Sequence, residues 1–177
     1  MKKNPLFKKY SVDTSGLLYL KVEKEQIEAV KRNGNAIRYI PNPSTEAQIE
    51  AVKQNEYAIQ HISNPSPEVQ LEAVKQYGNA IQWITNPSLE VQLEAVKQYG
   101  NAIQWISNPS TELQIEAVKQ NGDAIRFISN PSPEVQTEAV NNLLRQNITD
   151  INNYYPNKLN VKTLKCLLNN LIIKDII

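Results

Sequence analysis

Few residues in this chain have types and spacing that suit covalent or acid–base chemistry. His61 is the single histidine and Cys166 the single cysteine of 177 residues, and they are far apart in sequence. A cysteine nucleophile needs a base to deprotonate it, and no histidine accompanies Cys166 locally. Carboxylates are plentiful but regular: Glu28, Glu50, Glu72, Glu94, Glu116 and Glu138 recur every 22 residues. Acid–base catalysis wants one carboxyl with a displaced pKa, and a periodic row of surface acids gives no reason for one. No Cys/His metal spacing and no glycine-rich phosphate loop is present. The chain reads as a non-enzyme without a cofactor or metal.

The remaining polar chemistry is hydrogen bonding and aromatic contact, and it is also periodic. Gln26, Gln48, Gln70, Gln92, Gln114 and Gln136 fall in the middle of an apolar helical arc. A buried amide is costly unless its donors and acceptors are met. These six are expected to form an internal ladder, each bonding a neighbouring amide or the Asn-Pro-Ser turn of the next unit. A polar ligand groove is the alternative. Tyr39, His61, Trp83, Trp105 and Phe127 form a second column. Aromatic bodies usually bury most of their area, so the rings are expected to wedge between successive short helices. The functional alternative is a partner surface centred on Trp83 and Trp105.

The elements that place these columns follow from one stretch, NPSPEVQLEAVKQYGNAIQWI at residues 64–84, which recurs at 86–106 and, more loosely, at 108–128. A fixed period of this length marks a stacked repeat. Ser66 suits an N-cap and Pro67 the first helical position. Val69, Ala73, Val74 and Tyr77 share one face, and the helix should run to about Tyr77. Gly78 stands where a left-handed C-terminal residue is wanted. Asn79 can then cap a short helix through Ile84, and Asn64-Pro65 imposes an extended or turn conformation between units. The fold class expected is all-α: a right-handed α-solenoid of about six 22-residue long-helix/short-helix repeats with caps at both ends. The expected divisions are a leader or cap over 1–17, repeats over 18–146 and a helical cap over 147–177. In that cap, the apolar stripe of Val161, Leu164, Leu167, Leu168, Leu171 and Ile172 suits either covering the last repeat or pairing with a second copy.

Net charge is +1 but unevenly placed. Residues 1–24 carry a net +4, residues 25–144 a net −6, and residues 145–177 a net +3. An acidic body opposes a phosphate backbone along its length, leaving only the basic termini for nucleic acid. No apolar run is long enough to span a bilayer. A cytoplasmic protein is expected.

The segment EVQLEAVKQYGNAIQWI resembles a short two-helix repeat abundant in proteins of giant amoeba-infecting viruses and found in some phage and bacterial proteins. That repeat's core is E-A-V-K-Q-N-G-x-A-I-x-Y-I, which 116–128 follows, with Asp123 and Arg126 at its open places and Phe127 in place of its tyrosine. The resemblance covers about residues 18–140. Glu56 departs from it by replacing the glycine, and Asn141-Asn142-Leu143 breaks the last copy. It implies a repeat fold and no activity; a viral chain would act in the host cytoplasm. HEAT-type and leucine-rich-variant repeats are more distantly similar and imply a protein-binding scaffold.

Positions that vary on a constant scaffold are where a repeat protein reads its partner. The surface expected on that ground comprises Tyr39, His61, Tyr77, Gln82, Trp83, Tyr99, Gln104, Trp105, Arg126 and Phe127. The function expected is a protein-interaction module that binds a host or defence factor. Alternatives are nucleic-acid binding through the basic termini, small-ligand sequestration, and an oligomeric structural role through the C-terminal helix.

Overall fold

The computed structural model describes residues 16–145, with side chains from Val22 onward. All regular structure among them is helical. Six α-helices follow one another: α1 (Gly16–Arg32), α2 (Thr45–Gln54), α3 (Pro67–Gln76), α4 (Leu89–Gln98), α5 (Thr111–Gln120) and α6 (Pro133–Arg145). Between them lie 3-10 helices: η1 (Gly34–Tyr39), η2 (Ala58–His61), η3 (Gly78–Trp83), η4 (Gly100–Trp105) and η5 (Gly122–Phe127). Each α-helix packs on the next, and each 3-10 helix packs on the α-helices before and after it, except Ala58–His61, which packs chiefly on the one before it. The result is a layer of α-helices beside a layer of 3-10 helices.

The α-helices start where the serines stand. Ser44, Ser66, Ser88, Ser110 and Ser132 accept from the backbone N–H three residues on, at 3.2–3.4 Å. Each such cap contributes about 1 kcal/mol. Pro67 and Pro133 occupy the first helical position, where the missing N–H has no partner to lose. The α-helices end at Gln54, Gln76, Gln98 and Gln120, one residue short of the tyrosine or asparagine expected to close them. That next residue is extended, with φ of −143° at Tyr77.

Two local expectations are corrected here. The glycines are not left-handed, because no glycine has positive φ. The left-handed residues are the asparagines before proline: Asn42, Asn64, Asn86, Asn108 and Asn130, with φ of 49–52°. Asparagine tolerates this region better than other side chains, and a turn this sharp needs it. The short helix is also not capped by Asn79. Asn33, Asn55 and Asn121, two positions earlier in their units, accept from the N–H two residues on, at 3.0, 2.8 and 3.1 Å. Tyr77 and Tyr99 occupy that position without a side-chain cap.

The core is one continuous seam. Val69, Ala73 and Val74 of α3 meet Ala80, Ile81 and Ile84, and the same set is buried in neighbouring units. Each buried isoleucine contributes about 1.5–3 kcal/mol. The glycines let the layers close. A Cβ on Gly78 would lie 2.6 Å from the Ala95 carbonyl oxygen, and one on Gly100 2.5 Å from that of Ala117.

The ends differ from the middle. α1 is a single helix through the positions where later units have their Asn-Pro-Ser turn, and its first residues fall inside the segment expected as a leader. α6 runs to Arg145, in line with the expected extension to about Gln146. Residues 1–15 and 146–177, with Cys166 and the expected C-terminal cap, lie outside the described residues. Among the described residues no helix is long and apolar enough to cross a membrane.

Candidate interaction face

Each 3-10 helix has an inner and an outer side. Three residues per turn stack Gly78, Ile81 and Ile84 in one buried line, and the isoleucine places are buried in the other units too except for half-buried Ile40. Gln82 shares a less buried line with Asn79, and Trp83 follows Ala80 at the flank. The exposure of the aromatic column places it along the outer edge of the 3-10 layer. Tyr39 is 58 %, Trp105 48 % and Phe127 40 % exposed. His61 is exposed as well. The expectation that these rings wedge between short helices fails for four of the five.

Trp83 is the exception and is half-buried. Tyr57, at the start of η2, presents its ring edge-on to Trp83 with centroids 5.4 Å apart. The Tyr57 hydroxyl is pushed above its ordinary pKa by a hydrogen bond to Glu56 and by that carboxylate's charge. It therefore stays a neutral phenol. Arg38 lies 4.6 Å above the Tyr39 ring, a cation–π contact at the N-terminal end of the column. Near the other end Arg126 pairs with Asp123 at 3.4 Å.

The other expected surface residues divide. Gln82 and Gln104 each donate through Nε2 to the carbonyl three residues back, Asn79 and Asn101, at 3.1 and 3.0 Å. Tyr99 is exposed, whereas Tyr77 is half-buried and packs against the core. Tyr57 belongs on this face too, at a position that varies between units as Asn35, Tyr57, Asn79, Asn101 and Asp123 and is expected on that ground to face a partner.

The glutamine column is half-buried and structural in its contacts, but its wiring differs from the ladder expected. Gln48, Gln70, Gln92, Gln114 and Gln136 donate through Nε2 to the prolyl carbonyl five residues back, within their own unit, at 2.9–3.0 Å. Each amide thus locks the turn that precedes its own helix. Gln26 reaches across instead, accepting from the Ser44 N–H at 3.3 Å. A second set of amides ties units together. Gln120 accepts from the Gly100 N–H at 2.7 Å. Asn142, one period later, accepts from the Gly122 N–H at 2.8 Å and donates to the Lys119 carbonyl at 2.7 Å. Sequence reasoning took this part of the last copy only as a break in the motif.

Among the described residues the acids lie on the α layer, apart from the rings, except Glu56 and Asp123. Glu46, Glu68, Glu90, Glu112 and Glu134 are exposed in the first turns, and Lys53, Lys75, Lys97 and Lys119 are exposed in the last. Both placements suit the helix dipole. The Glu112 carboxyl is held below its ordinary pKa by its own backbone N–H and by the Ser110 hydroxyl. A groove of about 490 Å³ opens beside His61, lined by Ile40, Pro41, Asn42, Pro43 and Ser63. Among the described residues no three His, Cys, Asp or Glu side chains converge as a metal site would require.

Against known proteins, no curated protein and no solved structure matches. One family model, described as a domain of unknown function (DUF4116), matches residues 88–131. That span is two full periods, from the N-cap Ser88 through Pro131, so the likeness lies in the repeat unit and brings no activity with it.

Proposed function

We propose that the chain is a non-enzymatic protein-interaction module. It is built as a right-handed α-solenoid of about six 22-residue units and reads its partner with the outer side of the 3-10 layer. The observation that carries this reading is the exposure of Tyr39, Trp105 and Phe127 in one column, with Tyr57 and Tyr99 beside it, while the other exposed large apolar side chains among the described residues, Leu89 and Leu93, lie on α4. Exposed aromatics held on a rigid frame supply much of the energy of protein interfaces. The neighbouring Gln60, Gln104 and Arg38 side chains are exposed and give the row a polar rim. The rows of glutamate on the α layer oppose nucleic acid there.

The test is affinity capture from the source organism with the wild type and a Trp105→Ala/Phe127→Ala double variant. Both rings are exposed, so the variant should melt within a few degrees of the wild type. The reading expects a partner recovered by the wild type and lost from the variant. Equal recovery by the two proteins ends it.

A further inference from the structure

We infer that the aromatic face takes a proline-rich peptide in the polyproline II conformation, laid lengthwise along Tyr39, His61, Trp83, Trp105 and Phe127. This deepens the interaction reading above and rests on it.

Spacing is the first argument. The rings recur once per unit, and consecutive units are packed helix on helix. Packed helices stand about 8–10 Å apart. A polyproline II helix has three residues per turn and rises about 3.1 Å per residue, so it presents the same face every ~9.3 Å. A β-strand presents the same face every ~6.7 Å. An α-helix does so every ~5.4 Å. Of the three regular peptide forms, polyproline II has the repeat that matches this helix spacing, one turn per unit. A peptide of about thirteen residues would span all five rings.

The second argument is hydrogen-bonding character. Within the 3-10 layer the backbone N–H groups are engaged in helix bonds and caps, for example Ala80 to the Tyr77 carbonyl at 2.8 Å and Ile84 to the Ile81 carbonyl at 3.0 Å. No sheet edge is offered, so a strand cannot be added. A polyproline II peptide needs none. Its own carbonyls face outward and want side-chain donors. The face supplies these beside the rings: the indole N–H of Trp105, the amide of Gln60 and the guanidinium of Arg38, all exposed residues.

Charge is the third. The ionisable groups on the 3-10 helices and their leading residues, apart from His61 and the tyrosines, are Arg38, Glu56, Asp123 and Arg126, which sum to zero. The chain's acids lie mainly on the other layer. A ligand matched to this face is uncharged along its length. A single-stranded nucleic acid could stack on the same rings, but it requires a cationic track beside them.

The experiment pans a library of random twelve-residue peptides on the full chain and, in parallel, on the Trp105→Ala/Phe127→Ala variant. Peptides with proline at every third position should be enriched on the wild type and lost from the variant. A synthetic peptide of the best sequence should shift the indole emission. Its Kd should weaken at least ~10-fold in the variant, and about 5-fold when its prolines are changed to alanine, since preorganisation is then lost. Tyr39→Ala, at the far end of the row, should weaken the same peptide independently. Variant-sensitive peptides without period-three proline overturn the polyproline assignment and leave the interaction reading standing. If no peptide class distinguishes wild type from variant, this surface is not a peptide site. Loss of a whole protein partner by the same variant then decides the broader reading by itself.

Discussion

Tyr57 and Trp83 meet edge to face across two units, with ring centroids 5.4 Å apart and planes at 62°. The segments 64–84 and 86–106 differ only at Pro67 and Leu89. Trp83 is nonetheless half-buried and Trp105 exposed. The difference comes from the unit before: Tyr57 precedes Trp83, whereas Asn79 stands one period later, ahead of Trp105. Tyr57→Asn should therefore make Trp83 resemble Trp105. The emission maximum should shift to the red and acrylamide quenching should rise. Stability should fall by about 0.5–1.5 kcal/mol, the usual worth of an aromatic pair.

Gly78→Ala should destabilise by about 1–3 kcal/mol through overpacking, because the new Cβ would lie 2.6 Å from the Ala95 carbonyl oxygen. Backbone strain adds nothing there, since φ is not positive. Glu56 already carries a Cβ at the equivalent place, in the unit whose 3-10 helix is shortened to Ala58–His61. Glu56→Ala should change stability by no more than about 0.5 kcal/mol. Urea melts of the two variants compare them directly; equal losses would show that this close approach is not what excludes a side chain.

Gln92→Glu introduces a carboxyl whose partner is the Pro87 carbonyl oxygen, 2.9 Å from Nε2 in the wild type. A protonated carboxyl can donate to that oxygen and a carboxylate cannot, so the folded pKa rises above the unfolded ~4.3. The variant should therefore be most stable below that value and lose stability as pH rises through its folded pKa. The loss at neutral pH should be about 1–3 kcal/mol. Melting temperature against pH from 3.5 to 8 reads this, and a flat difference from wild type would place the amide elsewhere.

Leu89→Pro should stabilise. Leu89 is 74 % exposed at the first position of α4, where α3 and α6 carry proline. Ser88 before it is extended, with ψ of 162°, which proline requires of its predecessor. The gain should be about 0.4–1 kcal/mol, from a more restricted unfolded chain. A shift of the urea midpoint with unchanged slope is the expected signature.

Asn142→Ala should cost about 1–3 kcal/mol, since it leaves the Gly122 N–H and the Lys119 carbonyl without their 2.8 and 2.7 Å partner. Amide exchange should rise first at the C-terminal end of α5 and the start of η5. Uniform loosening along the whole chain would argue against this local role.

Much of this architecture was legible because the information is local and repeated. Ser66 caps α3 as its type suggests, and Val69, Ala73, Val74, Ala80, Ile81 and Ile84 are buried as their spacing requires. What was not legible depends on the neighbouring unit. Gly78 obeys a local rule for helix ends on paper, yet its reason is the Ala95 backbone one unit on. Gln70 reads from the sequence as a polar residue on an apolar face, but its partner, the Pro65 carbonyl, is set by the left-handed turn at Asn64. Residue type alone predicts wedged rings. Burial here is set by which residue the preceding unit contributes.

The contacts between units join each unit to its immediate neighbours. A block of 22 residues can therefore be duplicated or deleted without refitting any helix elsewhere. The near-identity of 64–84 and 86–106 is what such a duplication leaves behind. Every copy gained or lost changes the row by one ring, so slippage in the gene is at once a change in the length of the aromatic column.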